Sequence, residues 1–80
     1  MRVGYRLYAT LRRYRPEAQV GKTIELTLPD GATVGQLIEV LSIPRNIVKT
    51  VFVNGVHRDD DYVLQDGDET GIFPPIAGGT

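Results

Sequence analysis

Only one stretch of this 80-residue chain repeats its apolar residues with a helical period; elsewhere they alternate. Val34, Leu37, Ile38 and Leu41 fall at i, i+3, i+4 and i+7, which lines one face of a helix. By contrast, Val3, Tyr5, Leu7 and Ala9 alternate with Arg2, Gly4, Arg6 and Tyr8, and Ile24, Leu26 and Leu28 alternate with Thr23, Glu25 and Thr27. A period of two marks a strand with one wet face and one dry face. A single striped helix has no second helix to pack on, so its stripe must lie on the dry face of a sheet. Thr33 with Gln36 three places later forms a capping box at the helix start, and Pro44 beyond Ser42-Ile43 forbids continuation. Gly35 inside the first turn costs about 1 kcal/mol relative to alanine, so this helix depends on packing.

The remaining signals fill in the sheet. Pro29-Asp30-Gly31 is a turn sequence leading to the helix. Residues 51–53 read as a short third strand, and Asn54-Gly55 is a tight-turn signal returning through Val56-His57. Residues 59–63 read as loop, Leu64 as a core plug, and Asp66-Gly67 as a turn before a last strand over residues 69–73. That strand places Thr70 and Ile72 on one face and Gly71 and Phe73 on the other. Residues 10–20 read as a polar, arginine-rich loop around Pro16. The order strand, strand, helix, strand, short strand, strand predicts an α+β fold. It is a β-grasp (ubiquitin-like) roll with a mixed four- to five-stranded sheet packed on one main helix, over residues 1–73, followed by a flexible tail over residues 74–80.

Size and charge exclude several function classes. Eighty residues make one small domain that hides only about 60% of its unfolded surface, leaving little room for a large cavity. Nine basic against ten acidic side chains give a net charge of −1, without the basic excess that drives nucleic-acid binding. Five arginines nevertheless crowd the first fifteen residues, whereas Asp59, Asp60, Asp61, Asp66, Asp68 and Glu69 crowd the last third. No cysteine is present, which excludes disulfides, thiolate metal sites and a cysteine nucleophile and fits a cytoplasmic location. No signal-peptide or membrane-spanning stretch occurs, so neither secretion nor membrane insertion is expected.

The tail carries the functional signal. After Phe73 the chain reads Pro74-Pro75-Ile76-Ala77-Gly78-Gly79-Thr80. Prolines and terminal glycines do not join ladders or helices, so the segment is expected to project. At about 3.1–3.5 Å per residue, Phe73 to Gly79 spans about 20 Å, enough to enter a partner's active site. Glycines leave no side chain to block a narrow channel. Three further blocks accompany the tail: Leu7-Tyr8-Ala9-Thr10-Leu11-Arg12, Leu28-Pro29-Asp30-Gly31-Ala32-Thr33-Val34 and Val53-Asn54-Gly55. A fourth, Asp66-Gly67-Asp68-Glu69, leads through Ile72-Phe73-Pro74-Pro75 to the glycine pair. With these the chain resembles the MoaD/ThiS family of ubiquitin-like sulfur carriers, and especially the small subunit of molybdopterin synthase.

The resemblance implies that the Gly79 carboxylate is the reacting group. An E1-like activating enzyme, using ATP and magnesium, would adenylate it, and a sulfur donor enzyme would convert it to a thiocarboxylate. The tail would then enter the large subunit of molybdopterin synthase and deliver sulfur to a pterin precursor of the molybdenum or tungsten cofactor. The chain would be a co-substrate with no stably bound cofactor. Thr80 departs from the pattern, because an amide-linked Gly79 has no free carboxylate. It is either removed by a protease, an added residue, or the mark of an inactive relative. Alternatives are a carrier for thiamine thiazole synthesis, a ubiquitin-like modifier joined to lysines through Gly79, and an inert β-grasp interaction module.

Alternation also points Tyr8, Phe52 and Phe73 away from the helix. In a β-grasp sheet their strands are neighbours, which predicts an exposed aromatic strip beside the root of the tail. A partner would then contact Tyr8, Phe52, Phe73, Pro74, Pro75, Ile76, Ala77 and Gly78. The aspartates follow no calcium-loop spacing and read as solvated turns. His57, the single histidine, has no nucleophile or ligand partner in a recognisable motif, and no metal site is expected. Lys22, Lys49, Arg12, Arg13 and Arg15 read as surface positions.

Overall fold

The computed structural model describes residues 1–14 and 22–75. Along them run β1 (Arg2–Leu7), a 3-10 helix (Ala9–Tyr14), β2 (Ile24–Thr27), α1 (Val34–Val40), a 3-10 turn (Arg45–Ile47), β3 (Thr50–Val53), β4 (Val56–His57) and β5 (Glu69–Phe73). The five strands among the described residues form one sheet in the order β2-β1-β5-β3-β4. β1 and β5 are parallel at its centre, and the other pairs are antiparallel. This is the β-grasp roll that the order of elements predicts.

The helical stripe and the alternating strands meet in one core. Val34, Leu37, Ile38 and Leu41 of the helical stripe are buried with Val3, Tyr5, Leu7, Val51, Val53 and Ile72 of the sheet. Burying a side chain of this size contributes roughly 1.5–3 kcal/mol. Thr70 shares the inward face of β5, and its hydroxyl donates to the Gly4 carbonyl at 2.9 Å, so a polar residue sits in the core without an unmet hydrogen bond.

Both ends of α1 are built by local chemistry. Thr33 Oγ1 accepts from the Gln36 amide at 3.2 Å while Gln36 Oε1 accepts from the Thr33 amide at 2.8 Å, completing the capping box. Two further amides of the first turn are met by the loop over residues 59–63: Val34 donates to the Tyr62 carbonyl and Gly35 to the Asp60 carbonyl. At the other end Ser42 takes φ 59. Its amide donates to Glu39 O and the Ile43 amide donates to Ile38 O, the paired bonds of a Schellman motif. The helix thus ends before Pro44 is reached.

The first strand is shorter than its alternation predicts. β1 stops at Leu7, and Ala9 is exposed with φ 54 rather than continuing inward. The reason is Leu11, which the 3-10 helix carries into the core until none of it is exposed. A period-two pattern continues through Ala9 equally well in a strand or in the turn that follows it, and only the need to bury Leu11 separates the two.

The acidic loops are also more integrated than a solvated reading allows. Asp60 receives two hydrogen bonds from the Arg45 guanidinium, one from Nε at 2.6 Å. Arg45 Nη1 also donates to the Val48 carbonyl, so this pair fastens the loop over residues 59–63 to the stretch between α1 and β3. Asp68 is buried, with Oδ2 accepting from the Gln65 amide and Oδ1 from Asn54 Nδ2. Asp66 accepts from the Arg2 amide at 2.7 Å. Carboxylates recur here because a short oxygen-bearing side chain can meet turn amides that no strand satisfies.

Two stability predictions follow from these contacts. Replacing Ser42 with glycine removes the left-handed penalty of a β-carbon, and is expected to raise the unfolding free energy by about 0.5–1 kcal/mol, read from urea melts. The Arg45 hydrogen bonds hold the Asp60 carboxyl below its ordinary range. Its folded pKa therefore lies below the unfolded value of about 3.9, and the pair stabilises the fold above that pH and ceases to as pH falls through the folded value. Asp60→Asn should cost about 0.5 kcal/mol at neutral pH, the modest size set by solvent screening at this half-exposed pair. The gap from the parent should close in melts run at progressively lower pH.

Candidate docking face and tail root

The face of the sheet turned away from α1 carries an aromatic cluster. β3 and β5 pair Phe52 with Gly71 and Thr50 with Phe73, while β1 and β5 pair Arg6 with Gly71. Phe52, Gly71 and Arg6 therefore form one row across the sheet, with Phe73 and Tyr8 in the next. The Tyr8 and Phe73 rings stack with centroids 4.2 Å apart and planes 3° apart. Phe52 meets Phe73 edge-on at 5.6 Å and 86°, and His57 meets Phe52 at 6.1 Å.

The three aromatics are half-buried rather than standing exposed, because they cover one another and the backbone beneath. Gly71 makes this possible. A β-carbon at Gly71 would lie 3.3 Å from Tyr8 Cε2, tighter than most packed contacts, and 3.4 Å from Phe73 Cε1, so the rings would have to give way. The sequence offers Gly71 only as a weak strand residue. Its service as a floor for the Tyr8 and Phe73 rings appears once β1 and β5 are paired. Together with Arg6, Asn54, Gly55 and Glu69, the aromatics line a shallow depression of about 360 Å³.

The tail leaves from the edge of this cluster. The Tyr8 amide donates to Ile72 O at 3.2 Å and the Lys49 amide donates to Phe73 O at 2.9 Å, so the last residues of β5 are held on both sides. Pro74 is half-buried and Pro75 exposed. Ile76, Ala77, Gly78, Gly79 and Thr80 lie outside the described residues, as does Arg15. Lys22, Lys49 and Arg13 are exposed, Arg12 is half-buried, and Arg12 Nε donates to its own loop at Ala9 O. His57 is exposed and contacts Phe52 rather than a nucleophile. Among the described residues no three His, Asp or Glu are grouped to hold a metal ion. Nor is any helix among them long and apolar enough to cross a membrane.

Comparison with known proteins fits this geometry to a lineage. The ThiS family profile matches residues 6–79. The chain belongs to the ThiS family. Its match takes in the last two residues of β1, the aromatic cluster and the glycine pair of the tail. Among solved structures, the ThiS-family chain is 31% identical to the HVO 2177 protein of Haloferax volcanii, with a TM-score of 0.76 over 99% of this chain and 87% of that one. It is 27% identical to a Pyrococcus furiosus protein described as molybdopterin converting factor, subunit 1, with a TM-score of 0.77 over 95% of this chain and 99% of that one. A complex of subunits 1 and 2 of the molybdopterin-converting factor of Helicobacter pylori shares the fold at 16% identity and a TM-score of 0.62, over 95% of this chain and 96% of that one. No curated protein matches.

Gly71→Val tests the floor. The branched side chain suits a strand but occupies the space under the Tyr8 and Phe73 rings. The domain is expected to stay folded while the ring-current shifts between Tyr8 and Phe73 protons collapse in NMR spectra. Unchanged shifts would show that the glycine is not what admits the stack.

Proposed function

We propose that this ThiS-family chain is the sulfur-carrying small subunit of a molybdopterin synthase. The reacting group is the carboxylate of Gly79 in a chain that ends there, after loss of Thr80. The observation that carries this reading is the family match running from Arg6 to Gly79, so that the glycine pair lies inside the matched span.

The chemistry asks little of the domain itself. A carboxylate is a poor acyl donor because oxide is a poor leaving group. An E1-like activating enzyme with ATP and magnesium joins the carboxylate to AMP and releases pyrophosphate. A sulfur nucleophile from a sulfur donor enzyme then takes the acyl carbon and AMP departs, leaving a thiocarboxylate. Charge stabilisation in those steps comes from the enzyme that holds the nucleotide. This chain contributes reach and placement. Tyr8, Phe52 and Phe73 give a partner an apolar handhold next to Pro74 and Pro75, and Ile76, Ala77 and Gly78 connect it to the reacting carbon. Such clusters of half-buried aromatics at a surface are favoured anchors of protein association. The H. pylori complex of subunits 1 and 2 supports a large subunit as the final partner.

Intact-mass spectrometry tests the reading. Chains ending at Gly79 and at Thr80 are incubated with the cognate activating enzyme, ATP, magnesium and sulfide. The Gly79 chain is expected to gain the mass difference between sulfur and oxygen, and the Thr80 chain to remain unchanged. No gain on the Gly79 chain beside a competent enzyme overturns the carrier reading. Adducts to protein lysines in place of thiocarboxylate would establish a modifier instead.

A further inference from the structure

Arg6 stands in the middle of the aromatic face, and the alternation that makes it an outward strand residue gives it no evident task. Its position is fixed by two neighbours. Arg6 Nε donates to Thr23 Oγ1 at 2.7 Å. Thr23 can lie there because Gly4, two residues before Arg6 on β1, has no side chain: a β-carbon on Gly4 would come within 2.5 Å of Thr23 Cγ2. The guanidinium is thus hooked on one edge to Thr23, the residue before β2, while its Nη1 and Nη2 edge has no partner among the described residues. The ion pairs there are those of Met1, Arg2 and Arg45, and none includes Arg6. Arg6 lines the same depression as Tyr8, Phe52, Phe73, Asn54 and Glu69.

A partner that covers the aromatics must also cover this cation. Removing a guanidinium from water without an acceptor is costly, whereas a carboxylate meeting its two end nitrogens forms a short, paired, charge-assisted contact. Glu69 lines the same depression but lies beyond ion-pair distance, so the acceptor has to come from the other side. Resting on the docking reading above, we propose that Arg6 is the charged specificity contact of this face. It receives a carboxylate that the partner protein presents beside the apolar side chain it seats against Tyr8, Phe52 and Phe73. Thr23, placed by Gly4, is a positioning residue that leaves the Nη1 and Nη2 edge facing outward.

Calorimetric titration of the chain ending at Gly79 into the cognate homologue of molybdopterin-converting factor subunit 2 tests this. Arg6→Leu is expected to weaken binding about 10- to 100-fold, with Arg6→Lys between it and the parent because an ammonium cannot match a carboxylate bidentately. The parent's affinity should fall with added salt and that of Arg6→Leu should fall less. Thr23→Val should weaken the parent several-fold and have no effect in the Arg6→Leu background, a coupling that a purely structural role of Thr23 would not produce. Thermal melts confirm that each variant is folded, and Arg6→Gln replaces the leucine variant if that one is not. Phe73→Ala separates the two readings. If it weakens binding while Arg6→Leu binds with parental affinity and salt slope, the Arg6 proposal is overturned and the docking face stands. If neither changes affinity, the docking face itself is overturned and Arg6 falls with it.

Discussion

The parallel pairing of β1 with β5 is the constraint from which the rest of this structure follows. Parallel neighbours cannot be joined by a tight turn, so everything between Leu7 and Glu69 must cross over and return, and that crossover contains α1. The helix caps one face of the sheet because the chain has to travel across it. β5 is also the last strand in the described chain and lies between β1 and β3, bonded on both sides. Ile72, with none of its surface exposed, completes the core from the last of the described strands. Pairing strands so distant in sequence is slow, because loop closure costs entropy before the contact rewards it.

That central position decides what the chain end can do. A terminal strand at a sheet edge would leave its last residues half-tethered, whereas here Ile72 and Phe73 are held by Tyr8 and Lys49 on opposite sides. The proline pair then removes the amides needed to extend the ladder, so the sheet ends at Phe73. The same five residues face two ways. Thr70 and Ile72 are core, and Gly71 and Phe73 build the aromatic face, so Pro74 follows directly on the strand that carries that face.

The loop over residues 58–68 carries half of the ten acidic residues, and three of them, Asp60, Asp66 and Asp68, act as fasteners. Asp66 and Asp68 tie the turn before β5 to Arg2 and Asn54, and Asp60 with Arg45 ties the preceding loop to the stretch after α1. Short carboxylate side chains suit these places because turn amides need acceptors close at hand. The outward arginines differ in kind. Arg45 spends its guanidinium within the domain, while Arg6 engages only Nε and its end nitrogens have no partner among the described residues.

Sequence alone determined the elements whose signals are local. The stripe of Val34, Leu37, Ile38 and Leu41 marked the helix, Thr33 with Gln36 marked its start, and Asn54-Gly55, both with positive φ, marked the hairpin between β3 and β4. The tail motif was likewise legible, because it depends on residue type and order rather than on neighbours. What tertiary structure alone decided rests on residues far apart in the chain: that β1 yields to a 3-10 helix so that Leu11 can be buried, that Asp68 is interior, that Gly71 supports the Tyr8 and Phe73 rings, and that Gly4 makes room for Thr23 beside Arg6. Periodicity reports which side of an element faces the core. It carries no record of which side chain from another strand will lie across a given glycine, since that is fixed only when the two strands pair.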